Sequence, residues 1–296
     1  MMMDIVANND WKRGIYFSSS RGSSFSVALL SSGFVKQVGL AYELSPIRTE
    51  PIFYNMDKMY DKKVPLTNQK VVEMMIRLKP HIDYRPNARF NYNNTNYMLL
   101  AYIVEKLSGE NFRTYVKKNI FEPAGMKETF IYDPLHPEML KTAATGYVPR
   151  RGGPAVSDFN HLDGVTGDKG IYSTVEDLHL WDSALNEEKL VKSSTLEEAF
   201  TPQHTIPTTL PKNYGFGWRL TQLDNGEWLT YHTGWWHGFK NYYLHNPKDN
   251  SSIIILGNMA GHSLGRVNVV QSILYPEKAN LFMKGEALPS EFTSGN

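Results

Sequence analysis

The apolar positions change their period once along the chain. Up to about residue 210 they recur every three to four residues, and after Pro211 they alternate. In "PLTNQKVVEMMIRLK" (65–79), Val71, Met74, Met75 and Leu78 share one helical face, Thr67 stands where an N-cap belongs, and Pro80 stops the run. "NTNYMLLAYIVEKLSG" (94–109) sets Tyr97, Leu100, Ala101, Val104 and Leu107 at helical spacing. Met98, Leu99, Tyr102 and Ile103 cover the other side, so the helix is expected to be buried nearly all round, with Gly109 just past its end. "NFRTYVKKNIF" (111–121) reads as a further amphipathic helix. Pro123–Gly170 reads as a long loop-rich passage. "STVEDLHLWDSAL" (173–185) opens on Ser173 and Glu176 as a capping box and carries a Val175, Leu178, Trp181, Leu185 stripe; Ser194 and Glu197 repeat the device. Four alternating runs follow, at 214–223, 227–233, 239–246 and 251–258. Asp224-Asn225-Gly226 is a hairpin signal between the first two, and "GWWHG" and "NPKDN" are expected turns. "LGRVNVVQSILY" (264–275) closes the pattern with a helix.

This order predicts an α+β fold: an antiparallel sheet flanked by helices, with a helical subdomain. Residues 1–50 stand apart. "SSSRGSSFSVALLSSG" is serine-rich without clean periodicity, and a loop-rich segment is expected there. The expected division is an atypical 1–50, a main domain over 51–276 (helical to about 210, sheet and closing helix from 211) and a tail over 277–296.

Composition narrows the classes. Hydrophobic residues make up 41% of the 296, enough for a sizeable core. A net charge of +1 supplies no global field for nucleic acid. The lack of cysteine excludes disulfides and thiolate catalysis. No apolar run nears the roughly 20 residues of a membrane span. The first residues lack the apolar core of a secretory leader, so on its face the chain is soluble and not exported. Nine histidines include no His-x-His or His-Glu-x-x-His, so neither metal nor cofactor is expected.

Three spots combine polar side chains with an awkward backbone: Tyr92-Asn93-Asn94 before the buried helix, Asp168-Lys169 between glycines, and His232-Thr233-Gly234 on a strand. Each has a bland reading. Asn94 caps its helix, Asp168 and Lys169 form a solvated turn, and His232 is a half-buried strand histidine.

Their order resembles the serine β-lactamase and penicillin-binding-protein-like hydrolases, closest to the class C, D-Ala-D-Ala carboxypeptidase and esterase-like branch. That family uses Ser-x-x-Lys, then Ser/Tyr-x-Asn, then Lys/His-Thr-Gly. "RFNYNNTNYMLLAYIVEKLSGENFRTYVKKNIFEPAGMKETF", "GDKGIYSTVEDLHLWDSAL" and "YGFGW…YHTGWWHGF" are similar to family segments, so the likeness spans roughly 51–276. It implies acyl transfer on an ester, D-peptide or β-lactam. Tyr92 is then general base and acid, and Asn94 orients the substrate carbonyl. His232 supplies a polar or cationic group, and the Trp235 N–H beyond Thr233 and Gly234 is an oxyanion donor. Asp168 and Lys169 border the site. The implied partner is a small-molecule or peptide substrate; oligomeric state and compartment stay open, although the family is usually exported.

One part of the pattern is missing. No lysine has a serine three positions before it. Ser18-x-x-Arg21 and Ser20-x-x-Ser23 are degraded copies at best, since arginine cannot serve as a base near neutrality. The fold is therefore expected to be incomplete at its N-terminus. The alternative to an active hydrolase is an inactive or truncated member that keeps only a binding groove.

Overall fold

The computed structural model describes residues 15–18, 26–29, 60–61, 63–78, 93–157, 159–202, 212–223, 225–260 and 267–274. Near the start, β1 (Ile15–Ser18) and β2 (Ser26–Leu29) pair antiparallel, with Ile15 opposite Leu29 and Ser18 opposite Ser26. They are the only part of 1–50 among the described residues, so the loop-rich expectation for the rest of that segment lies outside them.

Helix α1 (Asn68–Leu78) starts where Thr67 Oγ1 accepts the Lys70 N–H at 3.2 Å. Val71, Met74 and Met75 are buried as the stripe predicts, whereas Leu78 is exposed at its end. Helix α2 (Asn94–Ser108) is shared by two cores. Leu100, Ala101 and Val104 face the main core, while Met98, Leu99 and Tyr102 pack with α1 and Val165. Two apolar faces on one helix account for its nearly all-round hydrophobicity. Gly109 closes it at φ 72°.

The next run is not one helix but three pieces: α3 (Phe112–Val116), a π-helical turn (Lys117–Phe121) and α4 (Glu122–Ala124). Pro123 has no N–H to give the helical ladder, which leaves the Asn119 carbonyl without its usual donor; within the π turn the Asn119 side-chain amide donates to the Tyr115 carbonyl at 2.8 Å. The loop-rich passage contains β3 (Phe130–Ile131), a hairpin of β4 (Tyr147–Arg150) and β5 (Gly153–Val156), and a 3-10 turn at His161–Gly164. β6 (Ile171–Tyr172) pairs with β3.

Helix α5 (Val175–Asn186) is capped by Thr174, whose side chain accepts the Asp177 N–H, and not by Ser173. The Ser173 hydroxyl is engaged with Thr129, which moves the cap one residue on. Val175 is exposed, while Trp181 and Leu185 of the stripe are buried. Helix α6 (Ser193–Ala199) begins after Lys192 with no side-chain cap, so the second expected capping box is absent.

The sheet has five antiparallel strands in the order β11-β10-β9-β8-β7, one more than the alternation shows. These are β7 (Lys212–Tyr214), β8 (Arg219–Gln222), β9 (Trp228–Trp236), β10 (Phe239–Asn246) and β11 (Ser251–Gly257). One face carries Leu229, Leu244 and Ile253, covered by α7 (Val267–Leu274) through Val267 and Val270. The other contributes Leu220, Trp228 and Tyr243 to the main core beneath α2, α5 and α6. β9 continues through Trp236, and the β9–β10 turn is only His237 (φ 45°) and Gly238 (φ 80°). Positive φ at both positions is the type I′ geometry that suits strand twist.

Candidate active site

β9 is central at one end and an edge at the other. It pairs with β8 only from Trp228 to Tyr231, whereas β10 accompanies it to Trp236. From His232 onward, among the described residues, no strand lies on the side away from β10. Trp236 and Phe239 close the two-residue turn, so they are a hydrogen-bonded pair, and alternation makes Gly234–Asn241 and His232–Tyr243 the next such pairs. Thr233 and Trp235 consequently turn their N–H and C=O groups to the open edge. His232, Gly234 and Trp236 share the face that looks toward the helical half. A Cβ added to Gly234 would meet only Asn241 atoms, at 3.9 Å, so among the described residues a slot stands open above that glycine.

A loop from Asn160 to Gly170 forms the facing wall, and it is fastened at many points. The Asn68 side chain donates to Thr166 Oγ1 at 3.0 Å and accepts the Thr166 N–H at 2.9 Å, both buried. Arg113 donates to the Gly164 carbonyl at 3.2 Å and the Tyr132 carbonyl at 2.9 Å. Gly164 lies against the Leu66 carbonyl, where an added Cβ would sit at 2.1 Å. Gly167, at φ 106°, lies against α2, where a Cβ would meet the Tyr97 carbonyl at 2.5 Å and Ala101 at 2.6 Å. Asp168 and Lys169 follow. They form an ion pair at 2.5 Å with side chains only 8% and 13% exposed, which corrects the solvated-turn reading. The Lys169 ammonium lies 5.0 Å from the Trp236 ring centroid, so loop and strand meet there.

Asp163 in the same loop is a second meeting point. Its Oδ1 accepts from Trp236 Nε1 at 2.7 Å and His237 Nε2 at 2.6 Å, while Oδ2 accepts the Asn160 N–H at 2.5 Å. Burial pushes the carboxyl pKa up, but the bonds from His237, Asn160 and Trp236 outweigh it and hold the group below the ordinary carboxylate range.

His232 is half-buried, and both ring nitrogens are engaged. Nδ1 lies 2.6 Å from the Thr233 carbonyl, which can only accept, so Nδ1 carries the proton. Nε2 lies 3.3 Å from Tyr214 Oη, which in turn is 3.5 Å from Tyr97 Oη on α2. Burial first, then the positive charge of Arg219, pushes the imidazole pKa down to about 4. The ring is neutral near pH 7, and Nε2 accepts from Tyr214. Of the two roles expected for His232, the polar one fits this ring and the cationic one does not.

The other expected residues fall as follows. Tyr92 lies outside the described residues. Asn94 is exposed as the first helical residue; Asn93 is the cap, its Oδ1 accepting the Asn96 N–H at 3.3 Å. The Thr233 side chain is buried on the α7 side of the sheet. The Trp235 ring is exposed on that side, with Lys240 Nζ 5.5 Å from its centroid. Lys169 thus meets Trp236, which lies two residues beyond Gly234 on the strand face that also carries His232; Asp168 is held by Lys169, and the Trp235 N–H lies on the open edge. Sequence reading missed Asp163, Trp236, His237, Tyr214 and Tyr97. Only the His237-Gly238 pair carried a local signal, that of a tight turn.

A half-open antiparallel strand carrying His-Thr-Gly, walled by a glycine-pinned loop and a buried helix, is the architecture of β-lactamase and penicillin-binding-protein-type hydrolases. The chain belongs to the Beta-lactamase family, whose family model matches residues 37–268. A second family model, TMEM260-associated domain 2, matches residues 1–63. The chain is 31% identical over 209 residues to Penicillin-binding protein 4* of Bacillus subtilis, covering 67% of this chain and 46% of that protein. It therefore spans less than half of that relative's length. A penicillin binding protein from Bacillus halodurans superposes with TM-score 0.65 at 22% identity, over 77% of this chain and 69% of the other. A D-stereospecific amidohydrolase from Streptomyces sp. does so with TM-score 0.62 at 18% identity, over 92% and 78%. Among the described residues no helix is long and apolar enough to cross a membrane.

Proposed function

We propose that the chain is a serine acyl-transfer hydrolase acting on an ester, D-peptide or β-lactam, with its site on the open edge of β9. The observation that carries this reading is the edge itself. The Trp235 N–H faces the cleft unclaimed by any neighbouring strand, beside the slot over Gly234. An N–H so placed stabilises a tetrahedral oxyanion when a carbonyl lies along the edge. Thr233 contributes the neighbouring edge groups, and Asp168 and Lys169 bound the cleft opposite. Asn94 orients the substrate carbonyl, and Tyr92 takes the proton of the attacking hydroxyl and returns it to the leaving group. A tyrosine base needs a nearby positive charge to favour its phenolate. Neutral His232 does not supply one; its part is to hold the strand edge through the Thr233 carbonyl. Lys169 is a cation beside the strand, already paired with Asp168.

A fluorescent penicillin and a fluorophosphonate, each followed by peptide mapping, test this. Covalent labelling of one serine, suppressed by Tyr92→Phe, is the expected result. Folded protein that takes neither label rejects catalysis by this chain.

A second reading has its own observation. No Ser-x-x-Lys occurs in the sequence, and loss of the nucleophile in a serine hydrolase costs on the order of a million-fold in turnover. On that reading the cleft binds peptide without hydrolysing it. Saturable binding of a D-Ala-D-Ala peptide with no product release is its signature.

A further inference from the structure

Three N–H donors from two distant segments converge on the Asp163 carboxylate: Asn160 from its own loop, and Trp236 and His237 from the end of β9. The Asp163 side chain is 3% exposed and that of His237 8%. Donors approach both oxygens, two on Oδ1 and one on Oδ2. An amide presents one oxygen and one NH2, so either orientation of an asparagine sets N–H against N–H at one end; only a carboxylate accepts at both. His237 is also one of three non-glycine residues with positive φ among those described, a conformation rarely held without a compensating contact. The Trp236 ring gripped by this carboxylate lies beneath Lys169. Among the described residues the stretch of β9 beyond Tyr231 has no strand on its outer side to hold it.

We infer that Asp163 is a positioning residue, which substitutes for the missing neighbour strand by clamping the end of β9 to the Asp168–Lys169 loop and so fixes where the Trp235 N–H points. It touches no substrate; it acts through Trp236 and His237. This rests on the proposed hydrolase reading only where activity is measured.

The test uses the full chain with Asp163→Asn and His237→Asn. Asparagine tolerates the left-handed turn position, so the second variant releases one clamp bond while keeping the hairpin. Hydrogen exchange followed by mass spectrometry is read on the β9 segment 228–236 against β10 and β11. In Asp163→Asn the β9 end is expected to exchange about tenfold faster while β11 is unchanged. In His237→Asn the same local rise is expected with an unaltered melting temperature. With a p-nitrophenyl ester, kcat of Asp163→Asn, referred to the folded fraction measured by circular dichroism, should fall about tenfold with KM held within about threefold; without that normalisation a partly unfolded sample would give the same split. Unchanged β9 exchange, a rise spread equally over β11, or unchanged kcat/KM in an active protein overturns the clamp. Absence of turnover in the unsubstituted protein rejects the hydrolase reading instead, and the exchange result then decides the clamp alone.

Discussion

His232 was legible as a strand histidine beside threonine and glycine, but its protonation state was not. That state depends first on burial and then on the charge of Arg219, which the fold brings to it. Its folded pKa of about 4 lies below the ordinary 6.5, so the unfolded chain binds the extra proton first. The stability contributed by keeping it neutral is complete above about pH 6.5. It is lost as pH falls toward 4, by about 3 kcal/mol at most. Urea unfolding between pH 4 and 7.5 should show this slope, and His232→Gln should flatten it. Gly234 gives a prediction of the opposite kind. Gly234→Ala should leave the melting temperature within about 2 °C, because the added methyl meets only ordinary contacts. The same methyl fills the slot, so labelling by fluorescent penicillin should fall.

At the scale of elements, helices and strands followed from periodicity, and Thr67 and Gly109 stand where their caps were expected, while the starts of α2, α5 and α6 and the break before Pro123 were not foreseen. A cap belongs to whichever neighbouring hydroxyl or amide is left unengaged, so Thr174 replaced Ser173 and Asn93 stood in for Asn94. Apart from Asp168-Lys169, the loop from Asn160 to Gly170 carried no sequence signal, because its glycines serve contacts far away in sequence. Gly167→Ala places a Cβ 2.5 Å from the Tyr97 carbonyl at φ 106°, and should destabilise by about 3 kcal/mol. Gly109→Ala has positive φ but open space around it, and should cost about 1 kcal/mol. Chemical denaturation of the two variants measures the difference, which separates backbone strain from steric conflict.

Across the whole molecule, a buried carboxylate ties the helical layer to the sheet. Asp182 on α5 accepts from Tyr243 and lies 3.0 Å from His245 Nδ1, both on β10. Although burial opposes ionisation, His245 and Tyr243 hold Asp182 below the usual carboxylate pKa. Asp182→Ala removes the acceptor of the partly buried Tyr243 hydroxyl and the charge beside buried His245, and should cost about 3–5 kcal/mol, read as a shifted urea midpoint. The sequence shows Trp181-Asp182 only as a helix residue pair, with no sign that its partners lie some sixty positions on.

The sequence by itself determined the change from helical to strand periodicity, the α+β class, family membership through spaced short motifs, and the absence of Ser-x-x-Lys. These are local or ordered along the chain, and periodicity and side-chain chemistry report them directly. Only the tertiary structure decided that β9 is open beyond Tyr231, that His232 is neutral, that Asp168 and Lys169 form a shielded pair, and that Asp163 gathers Trp236 and His237. Each of those depends on which distant groups displace water from one another, and that is set by packing between segments, which no short stretch of residues encodes.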